Sequence, residues 1–245
     1  MTQHTSRLSG LVTPRPALRT TAVTRLRSTP PISEPPIPLR GIGEQIKVAV
    51  EFVLVAGLTL FSIPVLLVSI LLVRLTSRGP AIYTQTRVGL SGRVFTFYKI
   101  RTMYHNCESQ TGPRWSPPGD PRITPVGRIL RKLHLDELPQ FWNVLRGDMS
   151  LIGPRPERPE IVARLRQSVP GYDRRHAVKP GITGFAQIHL PPDTCIRSVK
   201  NKVVYDIFYI RHRSAGMEVY ILFATLLKLL GMKHLYQRKP RIPTE

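Results

Sequence analysis

The sequence predicts a mixed α/β fold, mainly helical, with one small β-hairpin, an N-terminal re-entrant membrane helix and further helices at the membrane interface. Three observations predict it. From Phe52 to Val73 there are 22 residues without a charge, enough to cross the hydrocarbon core as a helix. The stretches "AIYTQTRV" and "RVFTFYKI" are apolar, β-branched and aromatic, and the turn "GLSG" lies between them, which reads as a hairpin. Beyond them, helical stretches with basic faces dominate.

In chain order, residues 1–43 are rich in Pro, Thr, Ser and Arg without helical or strand period, the composition of a disordered basic tail. No continuous apolar stretch marks a secretory signal there. The membrane helix is placed over 44–78. Pro64 lies mid-run, where it removes a backbone hydrogen bond. Ser62 stands two residues earlier, suited to satisfying a carbonyl freed by the break. Arg40 and Lys47 precede the run, and Arg74 and Arg78 follow it. Basic flanks at both ends fit a bent hairpin that enters and leaves by one face; an ordinary single-pass anchor is the other reading. The main domain is placed over 79–235, with a short tail over 236–245. Helices are expected over "TPVGRILRKL", from near Asp136 through "ELPQFWNVLRG", over "IVARLRQSV" and over "VKNKVVYDIFYIRHRS". The apolar "MEVYILFATLLKLLGM" suits either the core or the membrane interface.

The chain holds 36 Lys and Arg against 15 Asp and Glu, a net charge of +21. That balance calls for a polyanionic partner: nucleic acid, an anionic membrane surface or phosphorylated substrates. Nucleic acid is set aside, because no reader motif is present and aromatics are only 7%. Cys107 and Cys195 are the only cysteines, so no disulfide framework is implied and a reducing compartment fits. The histidines are scattered without metal-ligand spacing.

Acid is scarce, yet "LHLDELPQFWNV" sets Asp136 beside Glu137. Locally, Asp136 reads as a helix N-cap and Glu137 as a favourable charge at the dipole end. The surroundings suggest chemistry instead. Arg128, Arg131 and Lys132 lie upstream, and Arg146, Arg155 and Arg158 downstream. Such cations are expected to lower the carboxylates' pKa and keep them ionised. Carboxylates among arginines suit phosphate transfer with a divalent cation. In "GDMSLIGPRPERPE", Arg155 is fixed between two prolines, a rigid fork for a phosphate; an exposed turn arginine is the plain alternative. "KPGITGFAQI" is a Gly-rich loop without P-loop spacing.

Taken together, "SRGPAIYTQTRVG", "FYKIRTM", "DPRITPVGRILR", "LDELPQFWNVLRGDMSLIGPRPE", "KPGITGFAQI" and "YDIFYIRHRS", in that order, resemble the bacterial sugar transferase family of monotopic phosphoglycosyl transferases, in its minimal form. The resemblance covers roughly residues 45–232. It implies a soluble domain on the cytoplasmic face of the bacterial inner membrane, anchored by a helix broken at Ser62 and Pro64. It implies transfer of a sugar-1-phosphate from a UDP-sugar to polyprenyl (undecaprenyl-type) phosphate, with release of UMP. That step begins exopolysaccharide, capsule, O-antigen or glycan synthesis, and the product passes to downstream glycosyltransferases. By position, Asp136 is the nucleophile that forms a phosphosugar-aspartyl intermediate, and Asp136, Glu137 or both hold Mg²⁺. Arg131 and Arg155 contact phosphate, with Lys99 and Arg101 near the site. Asp120, Asp148 and Asp206 match further family acids. Three departures stand out: Glu51 for the usual Asp before the membrane helix, "SIP" for Ser-Pro, and His134 where a small Ser or Thr is common. The competing reading is an inactive basic scaffold anchored at the membrane.

Overall fold

The computed structural model describes residues 42–109, 112, 114–117, 119–193, 195–232 and 235–236. The tails expected over 1–43 and 236–245 therefore lie outside the described residues, except Ile42, Gly43 and Tyr236.

The first element, α1, is a helix of 35 residues, Ile42–Thr76, long and apolar enough to cross a membrane. Its middle is bare, with Leu60 72% and Phe61 84% exposed. Apolar surface of that extent is stable only against lipid or protein. The chain stays helical through Ser62 and Pro64, so a bend at Pro64 would be a kink within one helix, not an unwound segment. The hydroxyl of Ser62 donates to the Thr59 carbonyl at 2.9 Å. A helical N–H at position 64 would have bonded Leu60, so Ser62 serves the neighbouring carbonyl instead.

Both ends of α1 are fastened to the folded domain. Near its start, Lys47 meets Glu218 at 2.6 Å, and Ser150 donates to Glu51 at 2.8 Å. Val55 is fully buried in the main core with Phe97, Val144 and Ile221. Near its end, Val73 is buried with Ala81, Ile100 and Leu130, and Arg101 donates to the Ser77 carbonyl at 2.8 Å.

The hairpin is as expected. Strands β1 (Ile82–Val88) and β2 (Val94–Ile100) pair antiparallel, with Tyr83 opposite Lys99 and Gln85 opposite Phe97. Helix α2 (Pro125–Lys132) begins at Thr124, whose side chain accepts from the Gly127 N–H, the usual use of a Thr cap. The single helix expected from Asp136 is corrected. His134, with φ of 56°, turns the chain into a 3-10 turn, Leu135–Glu137. Helix α3 (Gln140–Leu145) starts separately after Pro139. A positive φ at a non-glycine breaks helical continuity.

After α3 the chain forms β3 (Ser150–Ile152), α4 (Pro159–Ser168), a 3-10 segment (Tyr172–Ala177), β4 (Gly181–Thr183), α5 (Phe185–His189), α6 (Ile196–His212) and α7 (Ala215–Leu229). The parallel pairing of β3 with β4 had no periodic signal at three residues a strand. Helix α7 buries one face in the core and leaves the other bare. Ile221, Ala224 and Leu227 are buried, while Val219, Phe223 and Leu226 are exposed. Fully burying a side chain such as Ile221 contributes roughly 1.5–3 kcal/mol.

Candidate active site

The 3-10 turn explains why two adjacent acids behave differently. Successive residues there are about 120° apart, so Asp136 and Glu137 point into different surroundings. Glu137 lines a groove of about 1310 Å³ and is forked by Arg155, at 2.5 Å and 3.4 Å. Asp136 is recessed and only 6% exposed. Among the described residues no hydrogen bond reaches its carboxylate.

Three cations act on Asp136: Lys99 from β2, Arg131 from the last turn of α2, and Arg155 from the loop after β3. They do not lower its pKa as expected from the sequence. Burial and then the charge of Glu137 push Asp136 above the ordinary carboxylate range, against the pull of the cations. Glu137 follows the expectation: burial pushes it up, but the charge and hydrogen bond of Arg155 outweigh that and hold it low. Lys99 is pushed down to about 8, by burial first and Arg131 second, with Asp136 opposing. Its ammonium also lies 5.6 Å from the centre of the Tyr83 ring.

Arg131 is aimed by hydroxyls. Its Nε donates to Thr102 at 2.8 Å and an Nη to Ser116 at 3.3 Å. Ser116 in turn donates to Asp120 at 2.8 Å. Asp120 is held by a forked pair with Arg122, as close as 2.6 Å. Helix α2 can approach Thr102 closely because position 127 is glycine; a Cβ there would stand 2.1 Å from the Thr102 carbonyl oxygen.

Arg101 lies near the site, as its motif implied. It lines the same groove, but it is directed at Ser77, donating to the carbonyl and the hydroxyl. It ties the end of α1 to the domain and is not among the cations acting on the dyad. Asp148 pairs with Arg146 at 3.4 Å, apart from the groove lining. Glu51, the departure before the membrane helix, retains a role by reaching Ser150. His134, the third departure, offers no side-chain cap.

Sequence reasoning missed Thr102, Ser116 and Tyr83. Thr102 lies inside "FYKIRTM" and Tyr83 faces Lys99 across the hairpin, so strand register was the available signal. Ser116 sits in a loop that carries none.

Among the described residues no cluster of three or more His, Cys, Asp and Glu gathers, so those residues build no metal cage. The donor set still fits Mg²⁺, which is typically bound by one or two carboxylates, water and substrate phosphates. An unpartnered Asp136 beside Glu137 supplies such carboxylates.

The groove is polar on one wall and apolar on another. Tyr83, Gln85, Arg158 and Lys202 contribute to the first, and Leu54, Leu58, Leu222, Leu226 and Leu229, from α1 and α7, to the second.

The sequence model of the family described as "Bacterial sugar transferase" matches residues 42–232. An Aeromonas hydrophila protein named UDP-N-acetylgalactosamine-undecaprenyl-phosphate N-acetylgalactosaminephosphotransferase is 43% identical over 176 residues, 72% of this chain and 41% of that one. The UDP-glucose:undecaprenyl-phosphate glucose-1-phosphate transferase of Escherichia coli K12 is 41% identical over 194 residues, 78% of this chain and 41% of that one. A protein of the same name from Caulobacter vibrioides is 40% identical over 192 residues, covering 78% of this chain and 72% of its own length. The match thus spans about two fifths of the first two relatives.

Proposed function

We propose, from the premise that this chain belongs to the bacterial sugar transferase family, that it moves a sugar-1-phosphate from a UDP-sugar to a polyprenyl phosphate of the undecaprenyl type and releases UMP. The observation that carries this reading is the buried, unpartnered carboxylate of Asp136 among Lys99, Arg131 and Arg155. Glu137 is already neutralised by Arg155, so Asp136 is the acid left for chemistry.

An oxygen of Asp136 attacks the sugar-bearing phosphorus. A P–O bond to Asp136 forms as the bond to the bridging oxygen breaks, and UMP leaves with that oxygen. An oxygen of the polyprenyl phosphate then attacks the same phosphorus, and Asp136 departs as the carboxylate. Arg131 and Arg155 fork onto phosphate oxygens, and Lys99 adds a point charge. Mg²⁺ on Asp136, Glu137 or both would neutralise the donor's diphosphate. The apolar wall built by Leu54, Leu58 and Leu226 suits a polyprenyl chain arriving from lipid.

The fastening of α1 supports a re-entrant anchor; its place on the cytoplasmic face of the inner membrane is taken from the family resemblance. A helix spanning the bilayer would put Lys47 and Ser77 on opposite sides. Their partners, Glu218 and Arg101, belong to one folded domain, which cannot occupy both sides. On this reading the lipid-linked product begins a polysaccharide or glycan and passes to downstream glycosyltransferases.

The test is UMP release by detergent-solubilised protein with Mg²⁺, undecaprenyl phosphate and a panel including UDP-glucose and UDP-N-acetylgalactosamine. Acceptor-dependent UMP from at least one donor is expected. Folded protein that releases none from any donor would return the chain to the scaffold reading.

A further inference from the structure

Of the three cations at the dyad, Lys99 rides on a strand and Arg131 on a helix. Arg155 lies on a loop, and the fold fixes that loop from two sides. On one side, the Gly153 N–H donates to the Thr183 carbonyl at 2.9 Å, and the Gly181 N–H to the Pro154 carbonyl at 3.0 Å. This pairing demands glycine, since a Cβ at Gly153 would lie 2.4 Å from the Lys179 carbonyl oxygen. On the other side, the carbonyl of Arg155 accepts a hydrogen bond from Arg175 at 2.8 Å.

Arg175 and its partner Asp206, on α6, are each 2% exposed. The guanidinium meets Asp206 through Nε at 3.0 Å and through an Nη at 2.7 Å. Its other Nη donates to the Tyr172 hydroxyl at 2.8 Å. A buried ion pair of this kind is weak evidence of net stabilisation, because desolvation offsets most of the attraction. Its geometry has a further consequence: the guanidinium is locked by Asp206 and Tyr172, and the Nη that meets Asp206 also donates to the backbone carbonyl of Arg155. We propose that Arg175, oriented by Asp206 and Tyr172, is a positioning residue for Arg155: it sets the backbone from which the phosphate-binding guanidinium reaches Glu137 and the substrate. This rests on the phosphate-binding reading of Arg155. It also gives Asp206 a task without contact to substrate.

The experiment is a double-mutant cycle on full-length solubilised protein, read as kcat/KM for UMP release. Alone, Arg175→Lys keeps a charge for Asp206 but loses the fork, and a drop of about 10- to 100-fold is expected from a displaced catalytic contact. In the Arg155→Ala background the same change should cost less than about 2-fold, because interacting residues are non-additive. An equal loss in both backgrounds would make the pair a structural staple and overturn the proposal. Hydrogen exchange over residues 150–156 gives a readout without turnover. Faster exchange in Arg175→Lys is expected, and unchanged exchange counts against the proposal even if activity falls. A wild-type protein that releases no UMP, yet shows the exchange response, would sink the transferase reading and leave the positioning intact. Should Arg175→Lys fail to fold, Tyr172→Phe serves in the same cycle. It should lose about 3- to 10-fold alone, the scale of one hydrogen bond to a charged group, and nothing in Arg155→Ala. No loss, or an equal loss in both, overturns the proposal.

Discussion

Two clusters of charge sit on the same domain and are built differently. At the foot of α1, Lys47 and Arg213 meet Glu44, Glu51 and Glu218. Ser150 donates to Glu51 and Tyr209 to Glu218, so each acid there has a partner. At the dyad, Lys99, Arg131 and Arg155 outnumber Asp136 and Glu137, and Asp136 has no hydrogen bond among the described residues. Burial holds Lys99 low and Asp136 high. The first cluster is satisfied within the protein and acts as a joint. The second has an excess of positive charge and a carboxylate that burial pushes above its ordinary range, the pattern of a functional site.

The comparison breaks most decisively at Asp136. Asp136→Asn should lower transferase activity at least about 10³-fold, as loss of a nucleophile does. It should not lower the melting temperature. A carboxylate whose folded pKa is raised destabilises the fold once pH exceeds the unfolded value, and the amide relieves that cost. Activity within a few fold of wild type would contradict the assignment.

The joint should respond in the opposite way. Glu218→Ala removes one of two acid partners from Lys47 and from Arg213, which keep Glu51 and Glu44, and should cost about 1.5–3 kcal/mol in hydrogen bonds to a charged group. Denaturation in detergent should show that loss, while turnover per folded molecule stays within about 2-fold. Turnover falling with stability unchanged would mean that the foot of α1 takes part in the chemistry.

Arg155→Lys keeps the charge but loses the fork to Glu137. Donor kcat/KM should fall about 10- to 100-fold, from roughly 1.5–3 kcal/mol for hydrogen bonds to a charged group. The smallest effect is on pH dependence. Lys99 is charged below about 8 and neutral above it, so kcat/KM for the donor should decline as pH rises through that value. In Lys99→Arg, whose guanidinium stays protonated, the alkaline limb should move upward. An unchanged limb would assign it to another group.

Much of this was legible in the sequence, for physical reasons that differ by element. The hairpin was readable because β-branched and aromatic residues flank a turn over seven residues a strand. Helix α2 was readable from Thr124, Pro125 and the basic last turn. The 3-10 turn was not, because it depends on the positive φ of His134, uncommon at any non-glycine residue and only weakly signalled by histidine. The same limit hid the opposite pKa shifts of Asp136 and Glu137: burial differs between neighbours, and composition shows only the surrounding charge. Lys99, Arg131 and Arg155 converge as their motifs implied, whereas Arg101 is taken by Ser77, a contact 24 residues away that local pattern could not supply. The Arg175–Asp206 pair joins residues 31 apart through tertiary packing alone.

The central claim is that Asp136 carries the phosphosugar. The direct measurement is the intact mass of the solubilised protein after incubation with its UDP-sugar and Mg²⁺ in the absence of polyprenyl phosphate. A mass increase of one sugar-phosphate, mapped to the peptide holding Asp136, discharged by added acceptor and absent in Asp136→Asn, is the predicted result. An adduct that persists in Asp136→Asn, or turnover by wild type with no adduct under any trapping condition, would contradict it.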